Sequence, residues 1–224
     1  MKQFNWGNSH EIFIETITQE LFDDNIYTRF FDVEEGDVVF DIGASIGPFT
    51  FNIIDKNPSQ IFCFEPSVEE FEYLVKNTNH GPVTYINKGI SEKVGEMTFD
   101  FIFQTEESNK SYSTTFSKVI SDYNIKKIDF LKSDCEGGEY DIFNIENLFW
   151  IKENVKKVAG EWHLRTPELK KKFRVFRDVY LRVLPNFKIY TIDGMDVSPY
   201  CWGDEFIEYY HELYIYIENK NGGQ

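Results

Sequence analysis

Three groups of residues in this sequence have types and spacings that could do chemistry. Gly43-Ala44-Ser45-Ile46-Gly47-Pro48 follows the apolar run 38–42, and a strand, a glycine-punctuated turn and a Pro-started helix together let a ligand approach the backbone closely. Glu65 stands after the next apolar run, 22 residues beyond Gly43, about the spacing at which a carboxylate meets ribose hydroxyls. Asp134, Glu136, Glu161 and His163 close two later runs, and a period of two puts Glu161 and His163 on one side of their strand. Glu161 and His163 could form an orienter-and-base pair for proton transfer. Asp134, Glu136, Glu161 and His163 could instead surround a magnesium-like ion, although no metal is assigned to the site.

The glycine loop departs from the G-x-G-x-x-G of nicotinamide-binding units: Ser45 replaces the second glycine and Pro48 the third. Asp41, two residues before Gly43, points instead to a loop for an adenosyl ligand that carries a charged amino-acid tail and no pyrophosphate. Residues 43–47 also spell G-x-S-x-G, but a hydrolase elbow would need an oxyanion-hole strand upstream, and about 36 residues precede the strand. Lys132 shares a strand face with Phe130 and Asp134. Burial of an unpaired ammonium is costly, so Lys132 is expected in a structural pair with Asp41 or Asp134. Glu136 lies in the turn after this strand and is the preferred functional acid. Glu139, in the first turn of the next helix, reads as complementing the helix dipole.

These residues need a sheet to position them. Runs at 37–42, 60–65, 83–88, 128–134 and 155–161 read as strands, with mostly helical segments between them. Runs apolar on both faces belong to parallel strands covered on both sides, which makes the fold class α/β, a doubly wound open sheet with ligands at the carboxyl ends of its strands. Residues 95–103 alternate like an extra antiparallel strand leading into a polar stretch, 104–115, expected as a mobile lid. Runs 187–192 and 209–218 are joined by 193–208, which has no clear helical pattern, so a final antiparallel hairpin is expected. Ser9 is the expected cap of an N-terminal covering helix with Phe13, Ile17 and Leu21 on one face.

Length and composition agree with one such domain. The 224 residues are 42% hydrophobic and 27% charged, which suits a packed core and excludes wholesale disorder. The expected division is one domain over 1–224: a covering region at 1–34, a core at 35–218 and a frayed tail at 219–224. Net charge is −15, which repels phosphate backbones and argues against a nucleic-acid partner. The segment 151–190 runs the other way, with eleven Lys/Arg against four Asp/Glu, and its basic stretch 170–177 reads as a solvated helix face. Cys63, Cys135 and Cys201 are far apart and odd in number, which suggests neither a zinc site nor a disulfide framework. The expectation is a soluble, cytoplasmic chain with no leader and no membrane partner, because the N-terminus is polar and no run approaches about 18 apolar residues.

Three segments together resemble the FkbM-type S-adenosylmethionine-dependent methyltransferases over roughly 35–163: Asp41-Ile42-Gly43-Ala44-Ser45-Ile46-Gly47, Phe64-Glu65-Pro66, and Asp129-Phe130-Leu131-Lys132-Ser133-Asp134-Cys135-Glu136-Gly137-Gly138-Glu139. The last is the most specific. The resemblance implies a Rossmann-like class I methyltransferase fold, mostly parallel with a reversed last strand. It also implies S-adenosylmethionine as cofactor. Asp41, Gly43, Ala44, Ser45 and Gly47 would form the loop under its methionine part, Glu65 would take the ribose hydroxyls, Ile90 and Ser91 would border the adenine, and Asp134 would face the amine. Related methyltransferases place an acid beside the adenine, where this chain has Gly89-Ile90-Ser91.

Methyl transfer from a sulfonium is an in-line displacement in which alignment supplies much of the rate. A hydroxyl acceptor also needs a base, expected to be His163 or a Glu136 raised by burial, with Glu161 orienting the imidazole. Positive charge on sulfur falls in the transition state, so a carboxylate against sulfur would stabilise the wrong state. The acceptor implied by the family is a small molecule or glycan, methylated at a sugar hydroxyl. The readings left beside it are a non-catalytic nucleotide-binding module and a NAD-type oxidoreductase.

Overall fold

The computed structural model of the chain describes residues 4–97, 111–220 and 222. Helix α1 (Glu11–Ile17) comes first, followed by β1 (Val38–Ile42), α2 (Pro48–Ile53), β2 (Gln60–Phe64), α3 (Val68–Thr78) and β3 (Val83–Ile86). Three short strands, β4 (Gly89–Ile90), β5 (Gly95–Met97) and β6 (Ser111–Thr114), interrupt the alternation before α4 (Phe116–Asp122). The second half runs β7 (Ile128–Ser133), α5 (Glu139–Ile142), α6 (Leu148–Asn154), β8 (Val155–His163), α7 (Pro167–Phe176), β9 (Phe187–Tyr190), α8 (Asp204–Tyr209) and β10 (Glu212–Glu218).

Seven strands make one sheet in the order β3-β2-β1-β7-β8-β10-β9. The first five in that order are parallel, and β10 runs antiparallel to both of its neighbours. The expected terminal hairpin is therefore present, with its second strand between β8 and β9. Alternate strand residues enter separate cores: Phe40, Phe62 and Leu131 pack with Trp162 and Phe176 on one face, and Val39, Ile61 and Phe130 pack with Phe49 and Leu74 on the other. Covering both faces is what makes each run apolar throughout. This is the Rossmann-like, doubly wound sheet with a reversed last strand. Strand order turns between β1 and β7, and the crevice at that reversal is where such sheets bind ligands.

Several local expectations are corrected. His10, not Ser9, caps α1, its ring accepting from the Ile12 amide at 3.3 Å. Phe13 is 37% exposed, and Leu21, in a π-helical continuation at Thr18–Asp23, is the residue that enters the core. The connection 193–208 is partly helical, holding a short 3-10 turn, Ser198–Tyr200, and the start of α8. The extra strand begins as expected, Gly95–Met97 pairing antiparallel with β6 in a separate three-stranded sheet, while 98–103 lie outside the described residues. Of the expected lid, 104–110 also lie outside them. The remainder is strand, with Ser111, Ser113 and Thr114 buried and Thr115 capping α4.

The expected frayed tail begins with an anchored residue: the Asn219 amide side chain donates to the carbonyls of Lys152 and Val155 at 2.6 and 2.9 Å. Cys63, Cys135 and Cys201 are free thiols. Among the described residues no helix is long and apolar enough to cross a membrane.

Candidate active site

The loop after β1 crosses the end of β7 at very short range. Gly43 has φ +76°, and a Cβ built on it would lie 1.7 Å from the Asp134 carbonyl oxygen, so neither the backbone conformation nor the space admits a side chain. The amides of Gly43 and Ala44 both donate to the Phe64 carbonyl, at 3.0 and 2.9 Å, which ties the loop to the end of β2. Gly43 and Ser45 remain partly accessible, while Ala44 and Gly47 are buried. Glu65 is held under this loop, its Oε2 accepting the Ser45 amide at 2.9 Å and its Oε1 the Ser67 amide at 2.7 Å. Burial, with the nearby Glu70 charge, pushes Glu65 up to about 8 against the opposing pull of those two amides.

Asp41 does not line the crevice. It is fully buried beneath the loop, where it accepts from the Thr50 hydroxyl at 2.7 Å and lies 3.3 Å from the Lys132 ammonium. It therefore positions the loop from below and is removed from the set of groups that touch a ligand. Lys132 is in the structural pair expected of it, and it also donates to the Gly43 carbonyl at 2.6 Å. Burial opposes its charge, yet Asp41 and then Asp134 raise it above the ordinary lysine range.

The second half of the site surrounds His163, which is 1% exposed. Strand β8 extends two residues beyond the predicted end because Glu212 of β10 pairs with His163. This brings His163 beside the turn that follows β7. Its Nδ1 lies 3.0 Å from Glu139 Oε1, and its Nε2 lies 3.3 Å from Glu161 Oε1, 3.5 Å from Glu136 Oε2 and 3.9 Å from Asp134 Oδ1. Burial opposes a charged ring, but the Glu139 and Glu161 carboxylates outweigh it, and His163 is pushed up to about 11. The acids around the ring thus favour its charged form when no ligand is bound, which weighs against a free histidine base. Burial also raises Glu161, to about 7.

Glu136 and Glu139 exchange the surroundings expected of them. Glu136 is exposed and salt-bridged to Arg165 at 2.6 Å, so the burial expected of it is not found. Glu139 is fully buried and accepts from the Cys135 and Gly137 amides and from the His163 ring. Two further residues were missed: Tyr27, whose hydroxyl donates to Asp134 Oδ2 at 2.9 Å, and Arg165, which also reaches Glu212 at 2.7 Å. Tyr27 carries no signal in the sequence, whereas the Glu-x-His-x-Arg spacing of residues 161–165 places Arg165 on the face of Glu161 and His163.

Ile90 is buried and pairs with Thr114 of β6, and the Ser91 amide donates to the Thr114 carbonyl. Residues 170–177 are not a free solvated face: Lys170 and Arg174 pair with Glu208, Lys172 with Asp141, and Arg177 with Asp178 and Asp204.

Comparison with known proteins bears on this arrangement. Residues 41–182 match the methyltransferase FkbM domain. The chain is 27% identical over 122 residues to the hexuronic acid methyltransferase AglP of Haloferax volcanii, covering 50% of each protein. It is 30% identical over 97 residues to the tRNA U34 carboxymethyltransferase of Campylobacter lari, covering 42% of this chain and 33% of that one. The matches thus span half or less of the length of these curated relatives. Among solved structures, a putative rRNA methylase from Clostridium thermocellum is similar at a TM-score of 0.49 and 13% identity, over 95% of this chain and 97% of that one. The domain match runs from the glycine loop through both acidic turns to the end of the helical segment after β8, and the chain belongs to the FkbM methyltransferase family.

Proposed function

We propose that the chain is an S-adenosylmethionine-dependent methyltransferase that methylates a hydroxyl of a sugar or other small metabolite. The observation that carries this reading is the sign of the charge around the glycine loop. Asp134, Glu136 and Glu161 gather beside it, while the nearby ammonium of Lys132 is committed to Asp41 and the Gly43 carbonyl. Such surroundings repel a pyrophosphate and suit a cofactor bearing an ammonium and a sulfonium. A nicotinamide dinucleotide is disfavoured for the same reason. The net charge of −15 likewise favours a small acceptor over a nucleic acid, and the hexuronic acid methyltransferase relative supports a sugar.

The cofactor supplies a methyl group on sulfur, and its transfer to oxygen leaves the carbon–sulfur electron pair on sulfur. Backbone from Gly43 to Gly47 seats the methionine part, and Glu65 takes the ribose hydroxyls. Glu136 accepts the proton of the acceptor hydroxyl, because it is the carboxylate of the cluster open to solvent and close to the other acids. Glu136→Gln should then bind cofactor normally and transfer the methyl group slowly; an unchanged kcat would remove Glu136 from that role.

Calorimetric titration with S-adenosylhomocysteine, with NAD as the comparison, tests the cofactor reading. Selective binding of S-adenosylhomocysteine is expected, with Glu65→Ala weaker by about 1–3 kcal/mol for the lost ribose hydrogen bonds and the released Ser45 amide. Preference for NAD would overturn the reading, and an unchanged affinity in Glu65→Ala would place the ribose elsewhere.

A further inference from the structure

The His163 ring is anchored on one side only. Nδ1 has Glu139, but Nε2 is buried and has no hydrogen-bond partner among the described residues, although Asp134, Glu136 and Glu161 all lie within 3.9 Å of it. The carboxylates crowd the nitrogen without accepting from it. Arg165 answers Glu136 and Glu212 at 2.6 and 2.7 Å from the solvent side and reaches Glu161 Oε1 only at 4.0 Å, so Asp134 and Glu161 are the acids that face the ring.

We propose that Asp134, Glu161 and His163 Nε2 hold a divalent cation of the magnesium–manganese class. One ligand atom from each lies within 4.8 Å of the other two. Octahedral coordination at about 2.1 Å separates adjacent donors by about 3.0 Å and opposite donors by about 4.2 Å. The observed 3.3 and 3.9 Å from Nε2 therefore need only small carboxylate rotations. Two hard oxygens and one imidazole suit magnesium or manganese, and the partial exposure of Asp134 and Glu161 leaves coordination positions open toward the crevice.

The surrounding groups complete the site. Glu139 takes the Nδ1 proton, so a metal ion has only the Nε2 proton to displace, and it stands where a carboxylate commonly backs a metal-bound histidine. Tyr27 donates to Asp134 Oδ2, leaving Oδ1 for the ion. A cation here would draw acceptor oxygens to the mouth of the crevice and assigns Asp134 to the metal and not to the cofactor amine. That role in transfer rests on the methyltransferase reading, whereas the site itself does not.

The test is a titration of the full chain with MnCl2, following the free-ion electron paramagnetic resonance signal, with S-adenosylhomocysteine calorimetry run on the same preparation in EDTA. One bound Mn2+ per chain is expected, competed by Mg2+. Affinity should fall tenfold or more in Asp134→Asn and in Glu161→Gln, two partly exposed positions where the amide keeps the shape. His163→Gln adds the nitrogen ligand, and circular dichroism checks that each variant is folded. No Mn2+ binding by the folded wild type overturns the site. So does equal binding in all variants, which would mean diffuse attraction to an acidic surface, and so does binding of Zn2+ with Mn2+ refused. Mn2+ binding without S-adenosylhomocysteine binding would leave the site standing and remove the methyltransferase reading; the reverse result would do the opposite.

Discussion

Lys132→Met lowers the unfolding free energy by about 3–5 kcal/mol, the usual cost of removing one partner of a buried ion pair. The ammonium and Asp41 lie 3.3 Å apart and are almost wholly buried, and Asp41 keeps only the Thr50 hydroxyl when the lysine is gone. Loss of the bond to the Gly43 carbonyl also loosens the cofactor loop, so cofactor affinity should fall in parallel with stability. For a chain of this length the change corresponds to roughly 10 °C or more in Tm. The control is the double variant Asp41→Asn with Lys132→Met, which leaves no uncompensated charge and should recover most of the loss. If Lys132→Met unfolded like the wild type in a denaturant titration, the pair would be irrelevant to stability; if the double variant were no better than the single one, the cost would lie in packing and not in charge.

Asp41 and Lys132 show how much of the site the sequence discloses. A lysine on the inner face of an apolar strand demands a partner, and strands that lie side by side in parallel register bring Asp41 opposite Lys132. Apolar runs of strand length located the sheet, and the reversed last strand followed from a connection too irregular to serve as a crossover. What could not be read depends on backbone conformation and distant pairing. Glu136 at φ +55° and Gly137 at φ +104° turn the chain so that Glu139, not Glu136, faces the interior. Spacing alone cannot tell which of two acids three residues apart turns inward. The surroundings of His163 are a second case, because its carboxylates come from the ends of β7, α5 and β8, and β8 reaches His163 only because β10 pairs with it. The cap of α1 is a smaller one: His10 and Ser9 are adjacent, and a ring nitrogen took the role that the hydroxyl was expected to have.

Gly43→Ala should be the most damaging single methyl group that can be added to this protein. The position has φ +76°, which costs an L-residue about 1–2 kcal/mol in the left-handed region. The new methyl would also meet the Asp134 carbonyl oxygen at 1.7 Å. That oxygen belongs to backbone and cannot rotate away, so either the loop lifts off β7 or β7 is displaced in the sheet, and overpacking of this kind costs about 1–3 kcal/mol more. Lifting the loop would break the bonds from Gly43 and Ala44 to Phe64 and draw the Ser45 amide away from Glu65. S-adenosylhomocysteine binding should then be lost even where the chain remains folded. Thermal denaturation and calorimetry read the two effects separately: a lowered Tm with intact binding would mean that β7 yielded, and lost binding at near-normal Tm would mean that the loop did. A variant that matched the wild type in both would show that the close crossing of β1 and β7 is not what shapes the site.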